Sequence, residues 1–303
     1  MKKVLVIAGP TASGKTSFSL EMARLLHGRI ISGDSIQVYR GLDIGSGKVT
    51  KEERGDIPHE LIDILDPDEP YSACEFQNMA RPLIEEQDPF PIIAGGTGYY
   101  LKACLYDYTF EAEEGDSPAD PELEQLDSEE LYAMLVKQDP IQAQKIHPHN
   151  RRRILRTLTI LKRTGHRQSE VEQNQKHEPI YDVFIAGCTM DRGVLYERIN
   201  QRVEQMFRDG LEEEVKGLLE KGYTFDDPGM RGIGYQEFRE YFDGSRSLEE
   251  TKELIQKNSR HYAKRQYTWL NHQMPVHWFN SLEETERSRM KEEILDWRRT
   301  DEK

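Results

Sequence analysis

Hydrophobic positions change their period along the chain, and each change marks an element. Residues 3–8 (Lys-Val-Leu-Val-Ile-Ala) form a nearly unbroken apolar, β-branched run, which predicts a strand buried on both faces, as in a parallel sheet. Past a short Gly-containing stretch, Phe18, Met22, Leu25 and Leu26 recur near helical spacing, which predicts a helix over 15–26 with Gly28 as its C-terminal stop. Apolar runs at 29–32, 91–94 and 183–186 predict further strands. Helical spacing returns over 128–137, 151–164, 191–208, 211–220 and 248–270, while residues 115–121, rich in Gly, Ser, Pro and Asp, predict a loop. Strand, helix and strand alternate in the first third, which implies a βαβ unit and a parallel sheet. The expected class is α/β. The sheet opens at the N-terminus, pauses for a helical insertion over 106–178, and resumes near Tyr181, so that 1–105 and 179–303 form one core.

Length agrees with that division, since 303 residues make about two domains or one core with a large insertion. No apolar run approaches the roughly 18 residues of a membrane span, and the run after Met1 stops at Gly9-Pro10 without a cleavage site. Cys74, Cys104 and Cys188 are odd in number and form no CxxC pair, which fits reduced thiols and a cytoplasmic location. The net charge of −14 argues against a nucleic-acid binder when averaged over the chain. The average conceals a segregation. Residues 103–136 hold eleven acids and no Lys or Arg, whereas 145–169 hold eight basic residues, three His and no acid. Two charged surfaces that attract each other or face water would explain this; a basic face for a polyanion would too.

The most specific chemistry follows the first strand. Gly9-Pro10-Thr11-Ala12-Ser13-Gly14-Lys15-Thr16 fits G-x-x-x-x-G-K-[ST] between a strand and a helix. Such a loop curls so that its N–H groups point inward, the helix N-terminus adds positive potential, Lys15 meets phosphate oxygens and the Thr16 hydroxyl can bind Mg²⁺. It grips linked phosphates without choosing between a nucleoside triphosphate and diphosphate. No Asn is followed by Lys, so the guanine-reading NKxD of a GTPase is missing. A small-molecule or nucleotide kinase stays open, with Arg198, Arg202 or the 151–156 cluster as its lid arginines. Asp34 and the Gly95-Gly96-Thr97-Gly98 loop each follow a predicted strand, so both reach the crevice at the strand C-termini. Asp34 is a candidate base or a turn cap, and Thr97 a candidate hydroxyl donor or part of a turn.

Eight ordered blocks carry a resemblance: GPTASGKT, SGDSIQVYRGLDIGSGK, PHELID, DPDEPYSACEF, GGTGYYLKA, IHPHNRRRILR, RGIGYQEF and YAKRQYTWL. Together they resemble the bacterial tRNA dimethylallyltransferases, also called tRNA isopentenyltransferases. The resemblance implies a P-loop NTPase-like core with a helical insertion. It implies transfer of a dimethylallyl group from dimethylallyl diphosphate to the exocyclic amine of the adenosine 3′ of the anticodon. The loop from Gly9 to Thr16 would then hold diphosphate, with Mg²⁺ at Thr16. Asp34 would act as general base, and Thr97 and Arg202 would assist at the diphosphate. Asp34, Ser35, Ile36, Gln37 and Thr97 would meet the flipped nucleotide, and Arg152, Arg153, Ile154, Leu155 and Arg156 the anticodon stem-loop. The expected partners are tRNA and dimethylallyl diphosphate, with no membrane and a monomeric chain. A non-enzymatic RNA binder is a third reading, opposed by the intact Lys15, Thr16, Asp34 and Thr97.

Overall fold

The computed structural model describes residues 1–86, 88–110, 120–174 and 177–300. It divides into two compact units, residues 1–105 with 179–303, and residues 106–178. The first unit opens with β1 (Lys3–Ala8), α1 (Lys15–Leu26) and β2 (Gly28–Ser32). It continues through β3 (His59–Glu60), α2 (Ala73–Glu85), β4 (Phe90–Gly95) and α3 (Gly98–Leu105). The second unit carries α4 (Ser128–Gln138) and α5 (Arg151–Thr164). The first unit then resumes with β5 (Asp182–Thr189), α6 (Arg192–Arg208), α7 (Leu211–Glu220), α8 (Leu248–Gln273), β6 (His277–Asn280) and α9 (Glu284–Arg299).

Six parallel strands form one sheet in the order β3-β2-β4-β1-β5-β6. β1 is central and its residues Val4 to Ala8 are fully buried, as its unbroken apolar run requires. β4 and β5 flank it on opposite sides, so a crevice opens at the C-terminal end of β1, where the chain reverses its direction of travel across the sheet. One face is covered by α1 and α9 through Phe18, Met22, Leu26, Met290 and Ile294. The Phe18 and Phe279 rings pack 4.7 Å apart, joining α1 to β6.

The end of α1 differs from expectation. His27, left-handed at φ 50°, closes the helix and donates its N–H to the Ala23 carbonyl, while Gly28 is the first residue of β2. Gly28 pairs with Phe90, and a Cβ there would lie 2.8 Å from the Phe90 carbonyl oxygen. The glycine therefore serves the close approach of β2 to β4 and not the helix stop. β4 and β5 outrun the predicted 91–94 and 183–186, and β3, α2, α3, β6 and α9 were not anticipated. Of the loop expected over 115–121, residues 115–119 lie outside the described residues.

The second unit has its own core, in which Leu131 and Leu135 of α4 meet Ile154 and Leu158 of α5. Its opposite charges partly meet as well: Lys162 pairs with Asp120 at 2.9 Å and Glu122 at 2.5 Å, and Lys145 with Glu172 at 2.7 Å. Among the described residues, no helix is long and apolar enough to cross a membrane. None of the three cysteines forms a disulfide among the described residues.

Candidate active site

The loop from Gly9 to Thr16 leaves β1 and turns directly into α1, with Ala12 at φ 62° and Gly14 at φ 88°. Its backbone is held from within and from outside. Lys15 Nζ donates to the Pro10 carbonyl at 2.7 Å, Arg198 Nε of α6 to the Ala12 carbonyl at 3.2 Å, and Ser281 Oγ after β6 to the Ser13 carbonyl at 2.6 Å. Gln266 Oε1 of α8 accepts from the Thr11 N–H at 2.9 Å. In a planar trans peptide C=O and N–H point opposite ways, so anchoring the Ser13 carbonyl also fixes the direction of the Gly14 N–H. Ser13 Oγ is buried without a partner.

Beside the loop lies a cavity of about 400 Å³, lined by Lys15, Thr16, Asp34, Gln37, Arg202 and Tyr262 among others, all from the first unit. Asp34 emerges just past β2. Its Oδ1 accepts the N–H groups of Ile36 at 2.8 Å and Gln37 at 3.2 Å, and its Oδ2 has no hydrogen-bond partner among the described residues. One oxygen thus shapes the turn and the other is left for chemistry, so the cap and base readings of Asp34 hold together. The Gln37 side-chain amide lies 3.5 Å from the Ser46 carbonyl and 3.4 Å from that of Gly47.

Two cations face Asp34, and among the described residues neither has a carboxylate within hydrogen-bonding distance. Among those residues Arg202 donates to the Gly47 carbonyl, at 3.4 Å. Burial lowers its guanidinium pKa, opposed by the charges of Asp34 and Glu53. Burial also brings the Lys15 ammonium down to about 8; Cys188 and Asp34 push it up and Arg202 pushes it further down. Cations left with carbonyl partners in a partly dry site are poised for an anion. Tyr262 completes the wall, its phenol pKa raised by burial and by Asp34.

Thr11, Lys15, Thr16, Asp34, Ser35, Ile36, Gln37 and Arg202 all border this cavity. Thr97 lies just before α3, next to Tyr262, its Oγ1 buried and without a partner of hydrogen-bond geometry. Arg198 does not pair with Glu204, which binds Lys252 at 3.4 Å and Gln256 at 3.0 Å. The run 152–156 lies on α5 of the second unit, where Arg152, Arg153 and Arg156 are exposed. Ile154 is fully buried in that unit's core and Leu155 packs against it. The expectation of an RNA contact is corrected for the Ile154 side chain, which is fully buried, whereas Leu155 is half-buried at the edge of that core and the arginines carry the outer face.

Sequence reasoning assigned no role to Gln266, Ser281, Gly47 or the Arg231–Gly234 turn, although 231–234 and 266 fall in blocks it singled out. Only Ser281 lies outside every such block. Among the described residues, no cluster of three or more His, Cys, Asp or Glu suits a metal ion.

Two family descriptions match the chain, "IPP transferase" over residues 37–273 and "Isopentenyl transferase" over residues 2–61. A tRNA dimethylallyltransferase of Anoxybacillus flavithermus is 46% identical over 299 residues, covering 98% of this chain and 96% of that protein. The tRNA dimethylallyltransferase of Geobacillus kaustophilus is 46% identical over 300 residues, covering 97% and 95%. Among solved structures, the tRNA delta(2)-isopentenylpyrophosphate transferase of Staphylococcus epidermidis superposes with a TM-score of 0.72 at 40% identity, covering 98% and 99%. A eukaryotic dimethylallyltransferase, described as acting on tRNA, superposes with a TM-score of 0.84 at 30% identity, covering 98% of this chain and 79% of that one. With such likeness along nearly its whole length, the chain belongs to the IPP transferase family.

Proposed function

We propose that this chain transfers a dimethylallyl group from dimethylallyl diphosphate to the exocyclic amine of the adenosine 3′ of a tRNA anticodon, releasing diphosphate. One observation carries the reading: Lys15 and Arg202, without carboxylate partners among the described residues, share a cavity of about 400 Å³ with Asp34 Oδ2, which has no hydrogen-bond partner among them. An anionic leaving group and a proton acceptor are what alkylation of an amine requires. The bond between the allylic carbon and the diphosphate oxygen breaks, and its electron pair leaves with diphosphate. The adenine nitrogen forms the new bond and its proton passes to Asp34. Loop N–H groups, Lys15 and Arg202 stabilise the charge that gathers on the leaving group, and Thr97, buried beside Tyr262, is assigned to assist there.

The adenosine must leave its stack to reach Asp34, so Ser35, Ile36 and Gln37 are assigned to the extruded nucleotide. Arg152, Arg153 and Arg156 are assigned to stem-loop phosphates. The Thr16 hydroxyl, a hard oxygen donor on this cavity, fits Mg²⁺, which takes few protein ligands and keeps water or phosphate for the rest. Bound there, it would neutralise charge on the diphosphate. A kinase reading is not favoured, because the relatives are dimethylallyltransferases. The test is incubation with labelled dimethylallyl diphosphate, Mg²⁺ and an anticodon stem-loop carrying adenosine at that position. Label should appear in the RNA; its absence beside an active control enzyme would refute the proposal.

A further inference from the structure

The segment that places Gly47 beside Arg202 and Gln37 is gripped from behind. Glu214, in the first turn of α7, accepts three successive N–H groups: Asp43 at 3.0 Å, Ile44 at 2.7 Å and Gly45 at 3.1 Å. Its Oε1 also accepts from the Tyr235 hydroxyl at 2.7 Å, and that hydroxyl accepts the next N–H, of Ser46, at 3.1 Å. Four consecutive amides therefore converge on one carboxylate and the phenol attached to it. Tyr235 is fully buried. Burial and the Glu214 charge hold its pKa far up, so the phenol stays protonated and donates. From the other side, the buried Lys48 ammonium binds the Tyr39 carbonyl at 2.8 Å and the carboxylates of Asp43 and Asp63 at 2.5 Å each.

Acids in the first turn of a helix usually just offset its macrodipole. Glu214 reaches across and gathers backbone amides from a separate segment, which a dipole role does not need. The next two carbonyls along that segment, of Ser46 and Gly47, are the ones that meet the Gln37 amide, and the Gly47 carbonyl also takes the Arg202 contact. We infer that Glu214 is a positioning residue: acting through Tyr235 and the 43–47 segment, it sets the orientation of Gln37 and so tunes binding of the acceptor nucleotide. The inference rests on the transfer reading above and adds to it a residue outside the cavity lining.

Glu214→Gln keeps the size of the side chain but turns an N–H₂ toward backbone donors. Tyr235→Phe keeps the ring and removes only the hydroxyl. Steady-state transfer, calorimetry with inorganic diphosphate and amide hydrogen exchange at 43–46 are measured together. Glu214→Gln should raise the acceptor KM by about tenfold, the loss of a charge-assisted hydrogen bond. Diphosphate affinity should fall less than the acceptor KM rises, since Arg202 meets this segment at one carbonyl alone among the described residues while Lys15 and the loop are untouched, and exchange at 43–46 should speed up. Tyr235→Phe should shift the same quantities less, and the double variant should shift them less than the product of the two. Glu214→Asp, one methylene shorter but still anionic, should recover part of the KM. A parallel loss of diphosphate affinity, or faster exchange with an unchanged acceptor KM, would overturn the inference. If Glu214→Gln fails to fold, Tyr235→Phe alone decides by the same split. An inactive wild type would refute the transfer reading and this inference with it; an active wild type with an indifferent Glu214→Gln would refute this inference alone.

Discussion

In the proposed transfer Asp34 divides its work between two oxygens, and substitution can separate them. Asparagine keeps an Oδ1 that can accept from Ile36 and Gln37, but it cannot take a proton. Asp34→Asn should therefore lower kcat by about 10²–10⁴-fold with little change in stem-loop affinity, read from single-turnover rates and filter binding. Lys15 yields a pH prediction. Its free-site pKa near 8 means that it carries its charge below that pH and loses it above. A bound diphosphate holds the ammonium charged, so affinity for a thio-linked donor analogue should fall above pH 8. The limiting slope should be about tenfold per unit. Calorimetry from pH 7 to pH 9 tests this, and Lys15→Met should bind weakly with that dependence removed. The residues of the phosphate loop could be read in sequence because their spacing is the chemistry itself. The directions of Asp34 Oδ2 and the Thr97 hydroxyl could not, since both depend on neighbours far along the chain.

Whole elements follow the same division. β1, α1, α5 and α7 were legible because their apolar residues recur at one period and reach a core. α2 was not, since Pro82 stands inside it; the helix persists because Phe76, Ala80 and Ile84 are buried on the same face. α9 buries only Met290 and Ile294 across sixteen residues, too sparse a signal to separate from a polar tail. β6 has one buried residue, Phe279, and β3 spans two residues, so each is defined by the strand it pairs with. The packing of α3 on α8 offers a test at the level of elements. A Cβ at Gly98 would lie 2.0 Å from the Trp269 ring. Gly98→Ala should cost about 1–3 kcal/mol by urea unfolding, an overpacking penalty.

Over the molecule as a whole, a net charge of −14 and an RNA substrate conflict only while charge is averaged. Lys145 and Lys162 of the basic stretch pair within their own unit, and Arg152, Arg153 and Arg156 are exposed on one helix. Replacing each of these three by alanine should weaken stem-loop binding. It should also reduce the slope of log affinity against log salt by about one for every phosphate left without its arginine, measured by titration at several salt concentrations. Resemblance reached the transfer chemistry through ordered motifs, while the brace on the Ser13 carbonyl had no motif to betray it. That brace has a consequence in time. Ser281 follows Ser13 by 268 positions, so a ribosome must add that whole stretch before the loop acquires this support. A growing chain would hold pyrophosphate poorly until β6 has emerged and docked, which makes competence for the donor wait on a segment far downstream of the loop itself.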